Sequence, residues 1–269
     1  MKEKDNKVMI LIKLLFALCI LVPVLSVVIW SLIERFPWPE FLPVVSLRAI
    51  REIFARKEKI ILLFVSSILI SFVVATLSVV IATMTARAFV CYEFHGKSIL
   101  YYLSILPLMV PATVFAMGIQ VTFIKLNLNN SVLGVVIAHL IYSLPYAIQL
   151  LMDGTKGIGK GLEEQARVLG ATAWRAFYKI SLPLLIPVML TAFSMAYIVS
   201  FSQYFLTLLI GGGKVKTFTI VMVPYLQGGE RNIASVYSTV FLIITVLVFG
   251  VFEWIARKIS KNHSVDYYA

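Results

Sequence analysis

Charged side chains are scarce in this chain. Asp, Glu, Lys and Arg make up 14% of the 269 residues and the mean hydropathy is +0.94, whereas soluble domains carry about 25% charged residues. The scarcity argues against a water-soluble fold. The net charge is +11, but no basic stripe alternates with aromatic residues in the way that nucleic-acid binding requires. Basic loops that flank membrane spans are the better explanation of the charge.

Cysteine and histidine are also rare, with two and three copies. Cys19 lies in an apolar run and Cys91 far away in a short loop, so their spacing indicates neither a disulfide framework nor a metal site. His95, His139 and His263 are scattered, and no nucleophile–base arrangement is evident. These absences argue against an enzyme and against a metal site in this chain.

Long apolar runs dominate what is present. A membrane-spanning helix needs about 20 mainly apolar residues, because each residue rises about 1.5 Å and all backbone polar groups must be paired internally. Continuous runs of this length favour helices over the short alternating strands of a barrel. We therefore predict an all-α integral membrane protein with six transmembrane helices at Val8–Ile33, Ile60–Ala86, Ile99–Ile124, Val132–Met152, Leu184–Ile210 and Ile233–Ile255.

The first run follows three lysines, as the apolar core of a signal peptide would, but it is much longer than the roughly 7–15 residues of such a core. We interpret it as a retained span. The span interiors contain almost no Asp or Glu, and Glu253 is interpreted as interfacial. A self-contained secondary transporter or channel, the main alternative, would need a charge pathway or inverted repeats, and neither is evident.

An even number of spans places both termini on one side of the membrane. With the termini inside, inner segments hold thirteen Lys and Arg residues and outer segments ten, leaving out Lys13 within the first span. This difference is too small to fix the orientation. Much of the outer charge lies in 46–59, where Leu47, Ile50 and Phe54 recur at helical spacing. An interfacial amphipathic helix and a solvated linker helix both fit this pattern.

The most informative segment is the loop Asp153–Pro183, called the 153–183 loop below. Glycines end the preceding span at Gly154, Gly157, Gly159 and Gly161. Glu163 and Glu164 favour the first turn of a helix, where carboxylates meet the positive end of its dipole. Leu162, Ala166 and Leu169 share one face of that helix, and Glu163 is spaced to pair with Arg167.

The second half of the 153–183 loop predicts a turn and another short helix. Gly170 stops the first helix, because glycine tolerates left-handed geometry. Thr172 is placed to cap a helix that carries Trp174, Arg175, Phe177 and Tyr178, and Pro183 begins the next span. Such a small amphipathic helix–turn–helix either packs on its own bundle or docks on another protein. Physical reasoning from these residues leaves both possibilities open.

Six residues of the 153–183 loop match a known motif, E-x-A-x3-G-x9-I-x-L-P: Glu164, Ala166, Gly170, Ile180, Leu182 and Pro183. By this motif the chain resembles the permeases of binding-protein-dependent ABC importers with the type I fold. Gln165 departs from the alanine usual in that family. The resemblance covers roughly residues 60–258, and segments near "HLIYSLPYAIQLL" and "SFSQYFLTLLIGGGKVKTFTI" are more similar to permeases for polyamines, ferric iron, thiamine and phosphonates.

The resemblance implies that the first loop helix is a cytoplasmic coupling helix, between spans four and five, that seats on a separate ATPase subunit. The residues implied in coupling are Glu163, Glu164, Gln165, Ala166, Arg167, Gly170 and Trp174. ATP and Mg would then be bound by the ATPase and no cofactor by this chain. The resemblance also implies a second permease subunit, which is a paralogue or another copy of this chain, and an external solute-binding protein. Two interpretations fit Lys214, Lys216 and Arg231 at the outer face, a preference for anionic cargo and docking of that binding protein, and we favour docking.

The same resemblance implies a location in the bacterial cytoplasmic membrane with both termini in the cytoplasm. We divide the chain accordingly into an N-terminal span with an outer segment at 1–59, a permease domain at 60–258 and a cytoplasmic tail at 259–269. The segment "LLIGGGKVKT" is a false phosphate loop, because Leu208 and Val215 replace the glycine and hydroxyl residue that a Walker A motif requires.

Polar residues inside the predicted spans are candidates for a solute path, because polar groups are costly in lipid unless they face a partner or a cavity. The candidates are His139, Tyr142, Gln149, Tyr197, Ser200, Gln203 and Tyr204. Such residues also serve as hydrogen-bonding contacts between helices. Pro107, Pro111 and Pro145 are expected to kink or interrupt their helices.

Overall fold

The structure is a computed structural model that describes residues 2–35, 42–55 and 57–265. Within these ranges the chain is mainly helical, and its residues form two compact units. Unit 1 comprises Met1–Leu62 and Val221–Ile244, and unit 2 comprises Leu63–Ile220 and Thr245–Ala269. Three helices begin in one unit and continue into the other.

Unit 1 begins with helix α1, Lys2–Trp30, followed by two short antiparallel strands, β1 at Ile33–Arg35 and β2 at Val44–Val45. Helix α1 ends three residues before Ile33, the predicted end of the first span. Ile33 lies instead in β1, where it pairs with Val45 of β2. In the most apolar 18-residue stretch of α1, no residue is buried against the rest of the chain. A helix that exposes apolar side chains on all sides requires lipid around it.

The rest of unit 1 consists of α2 at Arg48–Ala55, the start of α3 (Lys57–Cys91), the end of α11 (Phe218–Gln227) and the start of α12 (Arg231–Val265). The Nδ2 atom of Asn232 donates hydrogen bonds to the carbonyls of Ser31 (3.0 Å) and Trp30 (3.3 Å), which ties α12 to the end of α1. In α2 the side chain of Phe54 is 69% exposed, whereas Ala49 is buried and Ile50 and Ile53 are half-buried. An interfacial helix presents exposed apolar side chains of this kind to lipid.

Unit 2 contains the remaining parts of α3, α11 and α12. It also contains α4 at Lys97–Met109, α5 at Ala112–Lys125, α6 at Val132–Ile158, α7 at Gly161–Val168, α8 at Ala173–Ala176, α9 at Leu182–Phe201 and α10 at Phe205–Gly211. A π-helical turn, Phe177–Ser181, joins α8 to α9. Helix α6 packs along α9, and buried residues of α3, α6 and α9 such as Val79, Ile148 and Ala192 form part of the core.

The third predicted span is not one continuous helix. The chain bends by 111° between α4 and α5, with the break at Val110 and Pro111. Val110 has ψ 132°, because the proline ring clashes with a helical conformation in the residue before it. Pro107 and Pro145, by contrast, lie inside helices that continue past them. Among the described residues, five helices are long and apolar enough to span a membrane, or six if the bent pair counts as one span.

The fifth predicted span, Leu184–Ile210, is also wrong as a single helix. Helix α9 ends at Phe201, the next three residues are not helical, and α10 begins at Phe205. The short apolar helix α11, which the sequence did not indicate, follows. The break leaves backbone polar groups inside the apolar part of the chain, so they require hydrogen-bond partners there.

Candidate functional site: the 153–183 loop and the helix break

The first glycines of the 153–183 loop do not end the span as predicted. Helix α6 continues through Gly154 and Gly157 to Ile158 and ends at Gly159, which has φ +71°. A Cβ atom built on Gly154 would lie 2.8 Å from Cγ1 of Val188 in α9. Gly154 therefore permits the close approach of α6 and α9, and only Gly159 has the stop function that the sequence suggested.

Gly170 ends α7 as predicted. Its φ is +91°, in the left-handed region that favours glycine. Its N–H donates to the Arg167 carbonyl (3.0 Å), and the N–H of Ala171 donates to the Ala166 carbonyl (2.9 Å). These two bonds form a Schellman motif, which satisfies carbonyls at the helix end. No atom lies within 4 Å of a Cβ built on Gly170, so the backbone angle and not crowding requires glycine here.

The second loop helix also begins as predicted. The Thr172 hydroxyl accepts a hydrogen bond from the N–H of Arg175 (3.3 Å) and caps α8. The helix is short, and the chain passes directly into the π-helical turn before Leu182 and Pro183 start α9. The turn buries Phe177 and Ser181 against the bundle.

One side of the loop faces its own bundle. Both carboxylate oxygens of Glu163 bind the guanidinium of Arg87 at the end of α3, at 2.5 and 3.1 Å, and Glu163 also accepts a hydrogen bond from the Ser181 hydroxyl. The hydrogen bond from Arg87 is the main reason why the pKa of Glu163 lies below its usual range, with further contributions from Ser181 and the Arg167 charge. This arrangement differs from the predicted local pair of Glu163 with Arg167.

The other side of the loop is exposed and partly apolar. Val168 and Leu169 are each 88% exposed and Trp174 is 67% exposed, with its ring stacked on Tyr178 at 6.4 Å. Glu164, Gln165 and Arg167 are exposed as well, whereas Ala166 is half-buried. Large apolar side chains in this position are not covered by any described part of the chain.

The polar candidates near the helix break lie in a buried network. His139 of α6 is 1% exposed, with Nδ1 3.0 Å from the Ser200 hydroxyl of α9 and Nε2 2.9 Å from the Thr207 hydroxyl of α10. We call these three residues the His139 cluster. The Thr207 hydroxyl donates to the carbonyl of Gln203 (2.9 Å), so it accepts from Nε2–H, and Nδ1 accepts from Ser200. The Thr219 hydroxyl donates to the same Gln203 carbonyl (3.1 Å).

The other candidates are distributed differently. Tyr197 is buried and stacks on Phe201 at 5.6 Å, and its hydroxyl has no hydrogen-bond partner among the described residues. Tyr142 packs on Phe115 (5.8 Å), and Gln149 is exposed. Gln203 and Tyr204 are half-buried in or beside the break. Hydrogen bonds thus connect His139 to Ser200 and, through Thr207, to the Gln203 carbonyl. Among the described residues, no hydrogen bond joins Tyr142, Gln149 or Tyr197 to this group.

Sequence reasoning missed Arg87, Thr207 and Thr219. Arg87 was identifiable only as a lone cation at the end of an apolar run, and its partner is 76 positions away. The two threonines were hidden because the break between α9 and α10 was not predicted. The single available signal was the cluster of polar residues at 202–204.

The long apolar helices and the bent pair are those of a multi-pass membrane protein. Residues 78–261, more than half of the chain, match the family model described as "Binding-protein-dependent transport system inner membrane component". The chain belongs to this family, whose members are type I ABC importer permeases. It is a permease subunit of an ABC importer, a transport protein of the inner membrane.

Individual relatives agree with this assignment. The chain is 30% identical over 166 residues to the molybdate/tungstate transport system permease protein WtpB of Pyrococcus abyssi, a match that covers 62% of this chain and 66% of that protein. It is 22% identical over 199 residues to the spermidine/putrescine transport system permease protein PotC of Haemophilus influenzae, which covers 74% and 77%.

A solved structure has the same fold. A chain of a bacterial ABC transporter involved in the import of the acidic polysaccharide alginate superimposes with a TM-score of 0.61 at 14% identity, over 93% of this chain and 94% of that chain. At this identity the likeness shows the fold alone.

Proposed function

We propose that the chain forms half of the solute path of an ATP-driven importer and is driven by a separate ATPase that docks on the 153–183 loop. The observation that carries the proposal is the exposed apolar group formed by Val168 and Leu169 at the end of α7 and by Trp174 in α8. Exposed apolar patches with polar rims mark sites of protein interaction. Glu164, Gln165 and Arg167 form the polar rim.

In this proposal the partner ATPase binds ATP and Mg, and the chain itself binds no cofactor. A second permease subunit completes the path, and a solute-binding protein delivers the cargo from outside. The loop and both termini then lie in the cytoplasm of a bacterial cell. Among the residues proposed for coupling, Gly170 sets the turn and Ala166 packs beneath the exposed face.

We propose that the cargo is a small solute, such as a polyamine, thiamine, ferric iron or a phosphonate. Two relatives are named for solutes of opposite charge, an oxyanion and a polyamine. Related permeases therefore serve chemically different cargo, which supports a division of labour in which the external binding protein selects the solute. The half-buried polar residues at the helix break, Gln203 and Tyr204, are the proposed path-lining groups.

The test is affinity co-purification of the tagged chain from its native membrane. We expect the wild-type chain to retain a protein with a Walker A motif and magnesium-dependent ATP hydrolysis. The Leu169→Asp and Glu164→Lys variants should lose most of the retained ATPase. Both residues are exposed on the loop, so the changes should alter docking and leave the fold intact. Leu42→Asp, at a residue that is 80% exposed outside the loop, is the matched control and should retain the ATPase.

The proposal fails if the wild-type chain retains no ATPase in this experiment. A purified chain that moves a solute down its gradient by itself would then support the self-contained transporter instead. Loss of the ATPase from Leu42→Asp as well would mean that exposed apolar residues in general, and not the loop, decide retention.

A further inference from the structure

The Arg87 guanidinium is held from two directions. It makes two hydrogen bonds to the Glu163 carboxylate, and its central carbon lies 4.2 Å from the centre of the Phe177 ring. The side chains of Arg87 and Glu163 are only 12% and 18% exposed. Two-point arginine–carboxylate bonding and stacking on an aromatic ring both fix the orientation of a guanidinium, and partial burial protects the charges from screening.

The four residues of this group, which we call the Arg87 clamp, come from three different elements. Arg87 lies near the end of α3, Glu163 lies in the loop helix α7, and Phe177 and Ser181 lie in the π-helical turn that leads into α9. Because Ser181 donates to the same carboxylate that binds Arg87, the side chain of Glu163 joins α7 to both neighbours at once.

The covalent connection of α7 to α6 is of a different kind. It runs through Gly159, at φ +71°, and Gly161, and no atom lies within 4 Å of a Cβ built on either residue. A glycine-rich joint without packing around it transmits a displacement poorly, because the backbone absorbs it by rotation. A push or pull on α7 is therefore carried to the bundle by side chains and not by the chain linking it to α6.

Resting on the proposed function, we propose that the Arg87 clamp is the rigid linkage that carries movement of α7 to the ends of α3 and α9. Glu163 and Arg87 are positioning residues that face the bundle, whereas the ATPase contacts Glu164, Val168 and Leu169 on the other side. This reassigns Glu163, which the family resemblance grouped with the docking residues, to transmission of the movement.

Cys91 is a natural reporter for the test. It lies one turn after Arg87 in α3 and is partly exposed. In a Cys19→Ser background, the rate at which a maleimide labels Cys91 is measured in the ATPase-bound assembly, with and without a non-hydrolysable ATP analogue. We expect the analogue to change the labelling rate in the otherwise wild-type chain. Glu163→Ala and Arg87→Ala should retain the ATPase but lose this change.

Two further variants distinguish loss of the transmitted movement from a failure of the chain to fold. Glu163→Gln keeps the size of the side chain and removes only its charge, so it should also lose the change even if Glu163→Ala fails to fold. Lys156→Ala, which removes an exposed ion pair with Asp153 at the end of α6, is the matched control and should keep the change.

Two outcomes overturn the clamp. A nucleotide-dependent change that persists in Glu163→Gln and Arg87→Ala, with the ATPase retained, would show that movement reaches α3 by another route while leaving the proposed function intact. Failure of the wild-type chain to retain an ATPase would refute the proposed function itself, and the clamp with it.

Discussion

The 153–183 loop and the break between α9 and α10 place their side chains in opposite ways. The loop exposes large apolar groups, Leu169 and Trp174 among them, while the break buries polar groups around His139. Both arrangements are unusual, because apolar side chains normally avoid water and buried polar groups need hydrogen-bond partners. The polar groups of the His139 cluster have their hydrogen-bond partners within the chain, whereas no described residue covers the exposed apolar side chains of the loop.

Buried polar residues and exposed apolar residues are therefore functional candidates of two different kinds. A buried polar residue whose bonding capacity is used within the chain stabilises a structure, and in this conformation His139 is such a residue. An exposed apolar residue on a rigid support is available to a partner. The polar residues that are only half-buried, Gln203 and Tyr204, are therefore better candidates for the solute path than His139.

The largest effect is expected from His139→Ala. The change leaves a cavity and removes a partner from the hydroxyls of Ser200 and Thr207, so the free energy of unfolding should fall by about 3 kcal/mol. Thermal unfolding in lipid nanodiscs measures the change. His95→Ala, in an exposed loop, is the control and should be neutral. Equal stability of both variants would contradict the view that the buried network is structural.

Gly154→Val should have the next largest effect. The new Cβ would meet Val188, a short and stiff side chain, at 2.8 Å, and such overpacking typically costs about 1–3 kcal/mol. A lowered unfolding temperature is expected. Gly157→Ala, one helical turn further along α6 with open space around it, should be neutral or slightly stabilising. If both variants behave alike, the close approach of α6 and α9 is not what requires glycine at 154.

Gly170→Val tests the turn of the loop. A β-branched residue is strained at φ +91°, at a cost of about 1–2 kcal/mol, and the strain is concentrated at the end of α7. We expect ATPase retention to fall more than the unfolding temperature does. Gly170→Asn should restore much of the retention, because asparagine tolerates left-handed geometry. Full retention by Gly170→Val would show that the turn does not position the docking face.

The smallest effect is expected from mild acidification. The hydrogen bond from Arg87 lowers the pKa of Glu163 in the folded chain. The stabilisation is therefore fully present above the unfolded value of about 4.3 and is lost only as the pH falls through the lower folded value. The nucleotide-dependent labelling of Cys91 should not depend on this pair between about pH 8 and 5.5. Loss of the nucleotide-dependent change near pH 6 in the otherwise wild-type chain would contradict this assignment.

The sequence predicted much of the loop because its signals are local. Glu163 and Glu164 in the first turn, the left-handed Gly170 and the Thr172 cap depend on neighbouring backbone atoms, and each is present. The partner of Glu163 was not predictable in the same way. Its spacing from Arg167 suggests a local pair, and only the fold shows that Arg87 is closer and more enclosed.

The helices were predicted better than their interruptions. Apolar runs identify where a helix lies in the chain, but they show poorly where it breaks, since the apolar run resumes directly after the three polar residues at 202–204. Pro107, Pro111 and Pro145 gave similar signals inside predicted spans, yet of these three only Pro111 separates two helices. The solute-path and coupling roles were inferred from type and position, and they remain predictions that the experiments above address.

The turn at Gly170 has a consequence for the proposed docking of an ATPase. Both bonds that shape it join main-chain atoms, from Gly170 to Arg167 and from Ala171 to Ala166. The geometry therefore does not depend on which side chains stand on the exposed face of α7. Val168 and Leu169 are free to vary without refolding the loop, so we expect the exposed residues of another permease, grafted onto this helix, to transfer its ATPase preference while the scaffold stays the same.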